Sequence, residues 1–222
     1  MEEIISVQPI RQRLTADQRR DEIVRVTIDL GGRRSPESIT TLDIARALDL
    51  TQGAIFRHFP TKESIWVAVI KWAGTHLMTA TAEAVPAGSG PLEALERMFY
   101  AHVTFVSRHP AIPRLLFQQL QHSDLSPLTP LIAQLIDTYR TRLAKILLQG
   151  KQSGLVCADV NEEDAAMLFI GMVQGLAIQS SLFPRTASAR DMLPAARRVF
   201  PIYLRGILSH RTQRGMPTPM PT

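Results

Sequence analysis

An all-α protein is what this sequence predicts. Apolar residues recur at helical spacing through most of the chain. No run of alternating Val, Ile and Thr is bounded by hairpin turns. Between the periodic stretches stand Thr, Asn, Pro and Gly at the positions of helix caps and stops.

Taken in order, "ADQRRDEIVRVTIDLGG" places Ile23, Val26, Thr27 and Leu30 on one stripe, and Gly31-Gly32 reads as its stop. "TTLDIARAL" opens with Thr40 as N-cap, and Asp43 completes an acidic capping box. Its inner face is Ile44, Ala45 and Leu48. "TQGAIFRHF" starts on Thr51 and ends before Pro60. Thr61 caps the long "TKESIWVAVIKWAGTHLMTATAEAV". After the flexible "AGSG", Pro91 opens "PLEALERMFYAHVTFVSRH", and Pro110 opens the shorter "AIPRLLFQQLQH". "SPLTPLIAQLIDTYRTRLAKILLQGKQSG" is a long amphipathic helix that stops near Gly154. Asn161 caps "NEEDAAMLFIGMVQGLAIQSSLF", whose first turn is acidic, as the helix dipole favours. "ARDMLPAARRVFPIYLRGIL" comes last, delimited or bent by Pro194 and Pro201. The reading is nine helices with no internal repeat, and residues 211–222 read as a disordered tail.

Composition excludes several classes. Of the 222 residues, 45% are apolar, which supports a sizeable core. A lone Cys157 forms no intrachain disulfide and suits a reducing compartment. The N-terminus lacks an apolar signal segment, and "AAMLFIGMVQGLAI" reads as too short to span a bilayer. A soluble, cytoplasmic protein with no membrane partner is expected. No GxSxG, Walker loop, HExxH or GxGxxG is present, so no catalytic residue or cofactor is proposed. The spacing of His102, His109 and Cys157 fits no compact metal motif. The net charge of +5 is compatible with nucleic acid. It does not locate a reader: residues 10–62 carry +3, whereas 185–214 carry +6.

Residues 40–59 form a distinct constellation. Two short helices, 41–48 and 52–58, are joined only by "DLT", which forces a steep crossing of the helix-turn-helix kind. Ile44, Leu48, Ile55 and Phe59 face inward, and Leu50 plugs the angle. A second helix of this kind, set in a major groove, offers polar side chains to base edges. Gln52 suits adenine, and Arg57 suits guanine or a phosphate. Gly53 and Ala54 let the backbone approach closely, and His58 lies on the same outer side. Thr40, Thr51 and Lys62 are candidate phosphate contacts, and Thr41 is counted among the DNA-binding residues. Spacing alone leaves a second reading open, since all-α proteins that never meet DNA also contain such pairs.

The stretch "ITTLDIARALDLTQGAIFRHFPTKESIW" resembles the N-terminal DNA-binding region of the TetR/AcrR family of transcriptional regulators. The shared pattern is Thr40, Ile44-Ala45, Leu50-Thr51, Gly53, Ile55, Phe56, Phe59 and Thr61-Lys62-Glu63, and the match covers about residues 17–70. Asp49 stands where the family usually has Gly, and Asp tolerates a left-handed backbone. Phe56 replaces a frequent Tyr, which removes a phenol-to-phosphate bond and keeps packing on the sugar. The connection "GGRRSPES" is longer than usual and brings Arg33 and Arg34 as added phosphate contacts.

The resemblance implies four segments: an arm at 1–16, the helix-turn-helix domain at 17–62, a ligand-binding and dimerisation domain at 63–210, and the tail. It further implies a homodimer on a palindromic operator, usually a repressor, released by a small organic effector. Interface candidates are Phe169, Met172, Gly175 and Leu176 with Phe200, Tyr203, Leu204 and Ile207. The same stripes also read as monomer core. Pocket candidates are Met98, His102, Phe105, Arg114, Gln118 and Gln174, each of which also fits ordinary core or a solvated face. The long helix after Lys62 would join reader to pocket. The rival readings are an effector-independent DNA organiser and an all-α enzyme without recognisable motifs.

Overall fold

The structure, a computed structural model, describes residues 14–119, 126–182 and 192–209. Within them the chain forms nine α-helices: α1 (Ala16–Arg33), α2 (Thr41–Ala47), α3 (Gln52–His58), α4 (Lys62–Glu83), α5 (Pro91–Arg108), α6 (Ala111–Gln119), α7 (Leu128–Gln152), α8 (Glu162–Leu182) and α9 (Leu193–Ile207). A short 3-10 turn, Pro36–Ser38, leads into α2. Among the described residues there is no strand, only an isolated bridge between Val156 and Leu208. The tail, the first thirteen residues, and Arg185, Arg190, Arg211 and Arg214 of the basic stretch lie outside the described residues.

Each of the first four helices starts on a threonine. The hydroxyls of Thr15, Thr40, Thr51 and Thr61 accept the backbone N–H three residues on. Such a cap contributes about 1 kcal/mol. The carboxamide of Asn161 does the same for α8, accepting from the backbone N–H groups of Glu163 and Asp164 at 2.9 and 3.0 Å. Asp49 takes the left-handed backbone that the α2–α3 turn requires, at φ 52°. Gly154 closes α7 at φ 70°.

One boundary differs from expectation. Gly31-Gly32 does not stop α1, which continues to Arg33. A Cβ on Gly31 would lie 2.9 Å from the Cβ of Ala111, so this glycine serves the close approach of α6 to α1.

The first three helices enclose Ile23, Ile28, Ile44, Leu48, Ile55 and Phe59, all buried. This small core is continuous with the larger one through α4, which packs on α1 and also on α5 and α7. In the larger part α7 and α8 pair, and α9 packs on α5 and α8. At 21 residues α8 is longer than its apolar run suggested, and by length and composition it could cross a membrane. Its Ala166, Phe169, Ile170 and Val173 side is buried in the bundle.

Candidate nucleic-acid interface and effector cavity

On α3 the inner residue Ile55 is 0% exposed, with Phe59 at 1% beneath the helix end. Thr51, Gln52, Gly53, Phe56 and Arg57 are exposed, and Ala54 and His58 half-buried. A Cβ on Gly53 would meet nothing within 4 Å. Arg20, which spacing gave no means of finding, fixes the far end of the helix. Its guanidinium donates to the His58 carbonyl and lies 4.3 Å from the Phe59 ring centroid.

Several DNA-binding candidates are occupied by the protein itself. Thr41 is buried, and its hydroxyl accepts a hydrogen bond from Gln52 Nε2 at 2.7 Å. It therefore braces the reading side chain from behind. Thr40 donates both its backbone N–H and its hydroxyl to Asp43 Oδ2, at 2.9 and 2.7 Å. Those bonds, the backbone one foremost, hold the Asp43 carboxyl below its usual range, and Arg34 adds to this from 3.5 Å. Lys62 is half-buried and donates from Nζ to the Glu37 carbonyl at 2.8 Å, which ties the start of α4 to the 3-10 turn. Among the described residues, Arg57 makes no such bond and is exposed. Arg57→Ala is expected to weaken operator binding by about 1–3 kcal/mol with an unchanged melting temperature, read by fluorescence anisotropy and circular dichroism.

A cavity of about 170 Å³ lies among α4, α5, α6, α7 and α8. Among the pocket candidates, His102, Phe105 and Gln174 line it, along with Leu77, Ile112 and Tyr139. Three other pocket candidates stand elsewhere. Met98 is fully buried in the core and does not reach the cavity. Gln118 borders an outer depression with Arg33 and Arg34. Arg114 donates to the carbonyls of Gly31 and Gly32, at 3.2 and 2.9 Å. These carbonyls belong to the last turn of α1, where the helix leaves acceptors unpaired. Arg114 thus clamps α6 onto α1, a role that its place beside Leu115 and Phe117 did not suggest.

Phe105 also borders a larger open cleft of about 840 Å³, with Trp72, His76, Tyr100 and His109. Trp72 stacks on His76 at 4.0 Å and meets His109 edge-on at 5.1 Å. Burial, with His76 nearby, lowers the His109 pKa. Burial lowers that of His102 to about 4, so its ring is uncharged at neutral pH.

Of the interface candidates, Gly175 lies on the outer side of α8, and the others lie in or against the core of the single chain. Phe169, Phe200, Tyr203 and Ile207 are buried within the single chain, and Met172, Leu176 and Leu204 pack against its core. Phe99 meets both Phe169 and Phe200, with centroids 5.3 and 5.0 Å apart, and the Tyr203 hydroxyl donates to the Ala165 carbonyl. Phe169, Phe200, Tyr203 and Ile207 thus belong to the core of the single chain. The opposite side of α8 is also apolar but uncovered: Met167, Leu168, Ile178 and Leu182 are 61%, 55%, 41% and 69% exposed, and Ile202 of α9 is 62% exposed. Gly171 and Gly175 lie on that outer region with open space beside them. A helix apolar on both sides gives periodicity no way to tell the core face from the outer one.

Among the described residues, nine helices set a capped helix-turn-helix on a cavity-bearing helical body, the architecture of a helix-turn-helix regulator. The sequence family described as "Bacterial regulatory proteins, tetR family" matches residues 23–69. "Tetracyclin repressor-like, C-terminal domain" matches residues 88–178. The chain belongs to the TetR family of transcriptional regulators. The nucleoid occlusion factor SlmA of Vibrio campbellii is 26% identical over 158 residues, 71% of this chain and 81% of that protein. Among solved structures, a tetR-family regulatory protein from Rhodococcus RHA1 shares the fold at TM-score 0.70 and 22% identity, over 88% of this chain and 98% of its own. A transcriptional regulator from Saccharomonospora viridis does so at TM-score 0.75 and 19% identity, over 87% and 100%.

Proposed function

We propose that the chain is an effector-responsive repressor that binds a palindromic operator as a homodimer in the cytoplasm. Residues 17–62 read the DNA, and residues 63–210 bind the effector and the second copy. Gly53 carries the reading. A glycine inside a helix costs about 1 kcal/mol relative to Ala, and no described residue comes near enough to require one there. Close approach of an outside partner accounts for it, and Gln52 and Arg57 beside it suit base edges or phosphates. Gly53→Leu is expected to leave the fold intact while weakening operator binding at least about tenfold. Footprinting upstream of the protein's own gene identifies the operator, and anisotropy on that fragment checks the variant. Undiminished binding by a folded Gly53→Leu protein would overturn the assignment.

The uncovered α8–α9 side is the proposed dimer surface, because a two-fold assembly presents two reading helices about 34 Å apart. Leu168→Asp is expected to yield a folded monomer in sedimentation analysis, with operator affinity reduced. The cavity supplies the effector site. Two helices run from its wall to the reader: α4, through Ala73 and Leu77, and α6, through Ile112 and the Arg114 clamp on α1. A ligand that favours one setting of these helices by about 2.7 kcal/mol shifts operator affinity a hundredfold. The S. viridis regulator was solved in complex with choline, which supports a small-molecule role for this architecture.

The likeness to nucleoid occlusion factors favours a second reading, a DNA-organising protein. One palindrome protected near the protein's own gene and released by a small lipophile supports the first. Many chromosomal sites with no response to any compound support the second.

A further inference from the structure

The described wall of the inner cavity carries no charged side chain. Apart from His102, Tyr139 and Gln174 its lining is Ala, Val, Leu, Ile, Phe and Pro. An ion inside would be left unpaired in an apolar setting, at a cost far beyond what apolar contact recovers. Cavity size also restricts the occupant. An apolar cavity of about 150 Å³ holds a benzene, so about 170 Å³ holds one substituted ring.

Two of the three polar residues are poised for a single hydrogen-bonding group. His102 on α5 and Tyr139 on α7 meet edge-on, with centroids 5.2 Å apart and an interplanar angle of 84°. They are 7% and 2% exposed. His102 Nδ1 and the Tyr139 hydroxyl are both buried with no hydrogen-bond partner among the described residues. An unpaired buried polar atom is a standing cost, which a bound partner offsets. One ligand hydroxyl serves both: it accepts from the Tyr139 O–H and donates to His102 Nδ1 in the tautomer that leaves this atom free to accept.

We propose that this cavity binds a compact, uncharged lipophile of about one ring, whose single hydroxyl bridges Tyr139 and His102. The proposal rests on the effector reading for its biological sense, but its binding chemistry is testable apart from it. Isothermal titration of the full chain with p-cresol, toluene and p-toluate compares three ligands of nearly one shape. p-Cresol is expected to bind roughly tenfold tighter than toluene, with p-toluate showing no measurable binding. Tyr139→Phe removes only the hydroxyl, and His102→Leu replaces the imidazole with an apolar side chain of similar volume that can neither donate nor accept. Each is expected to bring p-cresol down towards toluene while toluene affinity stays within about twofold. Absent p-cresol binding, equal binding of p-toluate, or a p-cresol advantage that survives both substitutions overturns the proposal. Operator release, measured in parallel, keeps the two ideas apart. A charged compound that frees the operator while p-cresol fails sinks the ligand class alone. Binding of p-cresol without release sinks the effector reading alone.

Discussion

Ile55→Asp is expected to abolish operator binding and to lower the unfolding free energy by at least about 4 kcal/mol. Ile55 is 0% exposed and sits among Ile44, Leu48 and Phe59, the residues that hold α3 across α2. At 0% exposure a carboxylate there is cut off from solvent. It either stays charged without a partner or takes up a proton at a comparable cost. The effect reaches beyond the reader, because its core is continuous with that of the body. Ile55→Val, which removes one methylene, is the control and should cost about 0.5–1.5 kcal/mol. Chemical denaturation of both proteins, with anisotropy on the operator, checks the pair. If Ile55→Asp melts and binds like Ile55→Val, α3 is not held as described.

How much of this was legible beforehand depends on whether the signal was local. Caps are local: Thr40, Thr51, Thr61 and Asn161 act through backbone groups two or three residues away, and the sequence names them directly. The inner face of the helix-turn-helix is nearly so, since Ile44 and Ile55 are brought together by one short turn. What escaped depended on distant partners. Arg20 reaches His58 across 38 residues, and Arg114 reaches Gly32 across 82. In a linear reading each is an ordinary helical arginine. The bracing of Gln52 by Thr41 escaped for the same reason, since the two residues lie on successive helices. The covered face of α8 stayed open for a different one. Phe169 and Leu168 are both apolar neighbours, and only packing by α5, α7 and α9 decides which of them is covered.

A second large effect is expected from acid. His102 has its pKa lowered from 6.5 to about 4 by burial. Above pH 6.5 the imidazole is neutral in folded and unfolded chains alike, and its titration leaves stability unaffected. As the pH falls below 6.5, the unfolded chain takes up a proton that the folded chain refuses. Stability contributed by the neutral ring is then lost at about 1.4 kcal/mol per pH unit, down to pH about 4. The whole window amounts to roughly 3 kcal/mol. Carboxyls held low in the folded state, such as Asp43 and Glu162, also lose their stabilising effect in acid, but they do so in wild type and variant alike. The difference between wild type and His102→Leu therefore isolates the ring. Denaturation midpoints measured from pH 7.5 to 4 should converge in favour of the leucine variant as the pH drops. Parallel curves would mean that the imidazole takes its proton in the folded chain as readily as in the unfolded one, and that the wall at Tyr139 is wet. The uncharged cavity, and the ligand class inferred from it, would then lose their basis together.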